Sequence, residues 1–143
     1  GQIGLWGEGR GAYAARRALT LGAEGFAFGF AGALGGAFDL TADPAGLPEW
    51  ARRELGDLSR PEAQARAAER SPALHLERVQ APVFMARETG DAEARTLTGP
   101  RAPAAAWVEL TIAGTGVHPG DLAGRIALYQ GLLGFLDGLS PKT

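Results

Sequence analysis

Four short apolar runs punctuate the chain, and most of the intervals between them carry helical spacing. The first, QIGLW at residues 2–6, leads into a cluster of glycines. GAYAARRALTLG at 11–22 then sets alanine and leucine along one helical face and ends on Gly22, a helix stop. GFAFGFAGAL at 25–34 is apolar on both faces, as a strand buried in a parallel sheet must be. Residues 39–48, DLTADPAGLP, form a turn-rich loop. Residues 49–70 mix charges of both signs densely, which predicts a pair of surface helices with solvated charges. SPALHLERVQ is a helical turn leading into a connector, APVFMAR a third strand and AAAWVELTI a fourth. Residues 121–139, DLAGRIALYQGLLGFLDGL, space leucines and aromatics as an amphipathic C-terminal helix, with Asp121 as its N-cap or first-turn acid. The pattern predicts an α/β fold: a parallel sheet of about four strands near 2–6, 26–32, 82–87 and 105–112. They are expected side by side in chain order, with right-handed crossovers and flanking helices.

Composition narrows this picture. The 143 residues, 45% of them apolar, suffice for one domain spanning 1–143. The net charge of −2 gives no general attraction to nucleic acid or to an anionic membrane. Cysteine is absent, which excludes disulfides, thiolate metal sites and a cysteine nucleophile. The longest weakly polar run, GFAFGFAGALGGAF, has 14 residues, short of the ~18 that a membrane span needs. No signal-peptide pattern is seen, and no compartment is indicated. The sequence opens on Gly1 and enters a strand almost at once, so it is expected to be a piece of something longer.

The glycine cluster, Gly7-Glu8-Gly9-Arg10-Gly11, has two readings. GEGRGA fits the dinucleotide-binding pattern G-x-G-x-x-A, placed as required between a strand and a helix. There, glycines let the backbone approach a pyrophosphate at a helix N-terminus. That chemistry also needs an acid near the end of the next strand to hold a ribose. The next strand ends FAGALGG, and Asp39 lies too far along. The second reading is the nucleophile elbow G-x-S-x-G, whose three fixed glycine and serine positions fall on Gly7, Gly9 and Gly11, with Gly9 in place of the serine.

The rest of the chain resembles the C-terminal part of a prolyl-oligopeptidase-like serine hydrolase, the peptidase S9 family. IGLWGEGRGAYAA is similar to that family's elbow, close to GLxGxSxGGYxA. GAEGFAFGFAGALGGAFDL is similar to its next strand, with Asp39 closing the following turn. RSPALHLERVQAPVFMA resembles its SPLxxxxxIxxPVLLxHG block, TGD at 89–91 sits where it carries the catalytic acid, and IAGTGVHPGDLAGRIALYQGLLGFLDGL resembles its GxxHxF loop and last helix. The resemblance implies a partial α/β-hydrolase fold and serine-type hydrolysis of peptide, possibly ester, bonds. It assigns Gly9 to the nucleophile position, Asp91 to the orienting acid and His118 to the general base. The backbone N–H of Arg10 becomes one oxyanion-hole donor. No cofactor and no metal are implied.

This chain departs from the family at several of these points. Gly9 has no side chain to attack with, and the three serines, at 59, 71 and 140, lie far from the elbow; in the family Ser71 belongs to the structural SP block. Arg87 and Glu88 replace HG, Pro119 follows His118, and Gly99, Pro100 and Pro103 limit any helix after Asp91 to a turn or two. His75 is read as a packing or hydrogen-bonding residue. The strands, helices and second oxyanion donor that the family carries upstream of the elbow are not in this sequence. The expectation is therefore a chain inactive as written. Its first strand would present an open edge to the upstream part of a hydrolase domain or to a second copy. The alternative is a non-catalytic partner-binding or assembly module on the same fold.

Overall fold

The computed structural model describes residues 3–21, 28–36, 38–89, 106–113 and 122–139. Strands β1 (Gly4–Glu8), β2 (Phe30–Leu34), β3 (Val83–Glu88) and β4 (Trp107–Ile112) form one sheet in the order β1-β2-β3-β4. All three pairings are parallel, so the expected sheet is the observed one. Helix α1 (Arg10–Leu21) joins β1 towards β2. Helices α2 (Glu49–Leu55) and α3 (Pro61–Arg70) and a 3₁₀ segment (Pro72–Arg78) lie between β2 and β3, and α4 (Leu122–Leu139) follows β4.

Side chains alternate across a strand, and the alternation assigns the helices to the two faces. A Cβ on Gly7 would run into the backbone of Gly11, so that face of β1 belongs to α1. Trp6 points the other way, lying over Gly32, with Leu132 of α4 3.7 Å from the position a Gly32 Cβ would take. The core on the α4 face joins Leu34, Phe84, Ala86 and Ile112 to Leu128 and Phe135, with Phe84 and Phe135 ring centroids 5.7 Å apart. Phe38, Leu76 and Met85 pack on the opposite face. A satellite cluster of Leu40, Leu47, Ala51, Leu55 and Ala67 holds α2 and α3 together, with their charges outward as expected.

Two strand boundaries and the character of the last helix differ from the sequence reading. β1 runs past Trp6 to Glu8, because Gly7 is a strand residue whose missing side chain admits α1 rather than a turn signal. β2 begins at Phe30 rather than near 26, since its pairing starts opposite Gly4, the first residue of β1. α4 occupies the expected span but is not simply amphipathic: Leu122, Ile126, Tyr129 and Leu133 are exposed. Ser71 is structural, as expected. Fully buried, its hydroxyl accepts from the Leu40 N–H at 2.8 Å and donates to the Ala67 carbonyl at 2.7 Å.

Candidate active-site edge

The turn from β1 into α1 is a single residue. Gly9 follows Glu8, the last of the strand, and precedes Arg10, the first of the helix, with φ 53°. Its N–H donates to the Leu34 carbonyl at 3.0 Å, continuing the β1–β2 ladder, and its own carbonyl accepts from the Tyr13 N–H at 3.2 Å as the helix starts. A residue with a Cβ in this left-handed conformation carries about 1–3 kcal/mol of strain, which glycine escapes. The neighbouring loop presses closely: Gly36, at φ 83°, follows the end of β2, and a methyl there would overlap the Gly9 carbonyl oxygen. Gly11, by contrast, has nothing within 4 Å of the place a Cβ would occupy, so space does not require the third glycine of the cluster.

Arg16, which the sequence reading passed over, ties these two loops together. Buried under the sheet edge, its guanidinium donates to the Gly35 carbonyl at 2.6 Å and the Gly36 carbonyl at 3.1 Å, and sits 4.9 Å from the Phe38 ring centroid. Such charge-assisted bonds to backbone are strong. The sequence signal was the Arg16-Arg17 pair on an otherwise alanine-rich helix. One turns inward, while Arg17 donates to the Glu69 carbonyl at 2.7 Å on the surface.

The first turn of α1 is buttressed from α2. Arg10 forms an ion pair with Glu54 and lies 5.4 Å from the Trp50 ring centroid, and Tyr13 meets Trp50 at 4.8 Å between centroids. The Arg10–Glu54 pair is exposed, worth at most about 1 kcal/mol. Its effect is to turn the side chain of Arg10 aside, while the residue's N–H remains in the first helical turn, where amides have no intrahelical acceptor. Tyr13 donates its hydroxyl to the Arg70 carbonyl at 3.0 Å, and burial raises the phenol above its ordinary value against the opposing pull of Arg17 and Arg70. Because the folded value lies above the unfolded one, this contribution to stability is complete below about pH 10 and is lost as pH rises through the folded value. Absorbance titration of the phenolate should show a late transition that Tyr13→Phe removes. A parent and variant with superimposable alkaline curves would refute the assignment.

In a parallel sheet all strands end at one edge, so Gly9, the Gly35–Gly36 turn, Glu88–Thr89 and Ile112 share it. The ladder there is continuous, with Gly35 N–H to Ala86 carbonyl and Thr89 N–H to Ile112 carbonyl both at 3.0 Å. β3 and β4 end at this edge, at Glu88 and Ile112; Asp91 and His118, with Asp121 and the stretch after Asp91, lie outside the described residues. Glu88 is buried on the α4 face at the same edge. His75 sits at a kink of the 3₁₀ segment (φ −135°, ψ 27°), its Nε2 buried with no partner among the described residues. Ser59 donates to Asp57 at 2.7 Å, and that hydroxyl hydrogen bond, with the Ser59 N–H, holds the carboxyl below its usual range. For the dinucleotide reading, β2 leaves the sheet through Gly35–Gly36 with no acid, and Asp39 is engaged by the Thr41 N–H at 2.8 Å and hydroxyl at 2.6 Å. Among the described residues no cluster of ligating side chains suited to a metal occurs, and no helix is long and apolar enough to cross a membrane.

No protein-family model and no curated protein matches the sequence. Solved structures do match by fold. Against the uncomplexed acylaminoacyl peptidase of Pyrococcus horikoshii the TM-score is 0.68 at 17% identity, over 95% of this chain and 24% of that one. Against a puromycin-hydrolyzing peptidase of Mycobacterium tuberculosis it is 0.60 at 18% identity, over 97% of this chain and 22% of that one. The chain thus spans about a quarter of the length of the structures it matches. The four-stranded parallel sheet and its flanking helices match part of an α/β hydrolase, and the fold resembles part of an S9 peptidase catalytic domain.

Proposed function

We propose that this chain is the C-terminal part of a serine-peptidase-like catalytic domain in which the nucleophile position is vacant, and that it does not hydrolyse as it stands. The observation that carries this reading is Gly9 itself: a left-handed single-residue turn between a parallel strand and a helix, at the sheet edge. In such a site a hydroxyl at the turn attacks the acyl carbon, a histidine takes its proton, and an acid holds the imidazole. The reading gives these places to Gly9, His118 and Asp91, in the chain order of α/β hydrolases. The Arg10 N–H supplies one donor to the oxyanion, and the second comes from the part of such a domain upstream of the elbow. Peptide or ester bonds are the substrate class. The test is a serine-directed fluorophosphonate probe together with amide and ester substrates on the 143-residue chain. Neither labelling nor turnover above background is expected, and robust turnover would overturn the reading, since Gly9 offers no nucleophile.

A second reading, a non-catalytic assembly module on the same fold, is favoured by a different observation: an uncharged row of exposed apolar side chains along α4.

A further inference from the structure

We propose that Arg16 is the positioning residue of the Gly9 turn: from within α1 it fixes the Gly35–Gly36 turn, and that turn fixes residue 9. The proposal rests on the reading of Gly9 as the nucleophile position and names what holds that position in place.

β2 passes into two consecutive glycines, both buried and both at positive φ, 61° and 83°. Glycine ranges over more backbone conformations than any other residue, and neither of these has a side chain to anchor it. The anchor comes from α1. Arg16, 5% exposed, donates to both carbonyls, at 2.6 and 3.1 Å, and its guanidinium lies 4.9 Å from the Phe38 ring centroid. Phe38 packs in turn against Leu76 and Met85. A guanidinium donates through a rigid planar fork, so two bonds from one group fix the orientation of the turn as well as its distance. Lost together, they would leave two buried carbonyls to find other partners.

Residue 9 is held by what Arg16 holds. Leu34, just before the two glycines, accepts the Gly9 N–H at 3.0 Å. Gly36 lies so close over the Gly9 carbonyl that a Cβ on it would overlap the oxygen. Ala12, fully buried four residues before Arg16, shares the helix face turned to this dipeptide, with its Cβ 3.0 Å from the same point. The contacts form a closed ring. It runs from Gly9 along α1 to Arg16, about two helical turns, across to Gly35 and Gly36, and back to Gly9. α1 cannot slide or rotate without breaking the guanidinium bonds. The direction of the Arg10 N–H, the oxyanion donor of the reading, is set by the same ring. The part of a hydrolase domain upstream of the elbow then supplies the second donor but not the position of the first.

The test is amide hydrogen exchange, followed by nuclear magnetic resonance on the 143-residue chain. Local opening is read there amide by amide. Four amides decide it: Gly9 and Gly35, which belong to the ring, and Ala31 and Thr89, which bond the Pro82 and Ile112 carbonyls outside it. Arg16→Met keeps the reach of the side chain and removes its donors. It should speed exchange at Gly9 and Gly35 about tenfold or more and leave Ala31 and Thr89 within about twofold of the parent. Arg16→Lys keeps the charge as a compact point rather than a fork, and should recover part of the protection, to about threefold faster than the parent. Unchanged exchange at Gly9, equal acceleration at all four amides, or an Arg16→Lys chain no better protected than Arg16→Met would overturn the proposal. Should Arg16→Met not fold, Arg16→Lys is read at the same amides: selective acceleration at Gly9 and Gly35 supports the proposal, and uniform or absent acceleration overturns it. No hydrolysis enters these readouts, so failure here is separable from failure of the catalytic reading.

Discussion

Gly36→Ala is expected to cost about 2–6 kcal/mol, a large fraction of the usual 5–15 kcal/mol total stability of a domain. Two independent terms add. At φ 83° a residue with a Cβ carries about 1–3 kcal/mol of backbone strain. The new methyl also overlaps the Gly9 carbonyl oxygen and comes within 3.0 Å of the Ala12 Cβ, and relieving such crowding in a packed site typically costs about 1–3 kcal/mol more. Neither neighbour can swing aside, because Gly9 is fixed by its bond to Leu34 and Ala12 is buried in α1. Gly11→Ala is the control. It lies in the first turn of α1, two residues after Gly9, meets nothing within 4 Å, and should be neutral or stabilising by about 0.5 kcal/mol through helix propensity. Urea unfolding of the two variants beside the parent decides the matter. A Gly36→Ala protein within 1 kcal/mol of the parent would mean that the two loops are not locked together as described.

That contrast also marks how far the sequence could be read. The strands were legible because GFAFGFAGAL and APVFMAR are apolar on both faces, which only a sandwiched parallel strand requires, and their order followed from alternation with helices. What the local pattern could not separate was a glycine that turns the chain from one that admits a neighbour. Gly7 and Gly9 look alike in sequence, yet one is a strand residue beneath α1 and the other is the turn. Nor could spacing tell which of two adjacent arginines goes inside: Arg16 is buried because the Gly35 and Gly36 carbonyls stand over it, a contact made by residues 19 and 20 positions away. α4 shows the reverse difficulty. Its leucines fit one amphipathic face, but four of its large apolar residues form a second face that the sheet does not use. Asp91 and His118 were proposed only through family resemblance, since an aspartate and a histidine outside the periodic segments carry no pattern of their own, and both lie outside the described residues.

Gly9→Ser is expected to destabilise the chain by about 1–3 kcal/mol, because serine must adopt the left-handed angle that glycine takes without strain. In a working elbow that strain is tolerated because it presents the hydroxyl to the substrate. Without catalysis, glycine is the more stable choice, and its presence at the turn fits a chain not selected for hydrolysis. The parent is expected to hydrolyse at background, since removing the serine of a comparable triad lowers turnover on the order of 10⁶-fold. The serine variant alone should label poorly with a fluorophosphonate. A hydroxyl at residue 9 meets one oxyanion donor, the Arg10 N–H, and removing a single donor from such a hole already costs about 10²–10³-fold. Supplying the upstream part of a hydrolase domain alongside the serine variant should raise labelling by that factor, and should do nothing for the parent. Labelling of the isolated variant at the rate of an intact serine hydrolase would show the oxyanion hole to be complete within these 143 residues, contrary to the proposal. A variant as stable as the parent would remove the physical reason offered for glycine at this turn.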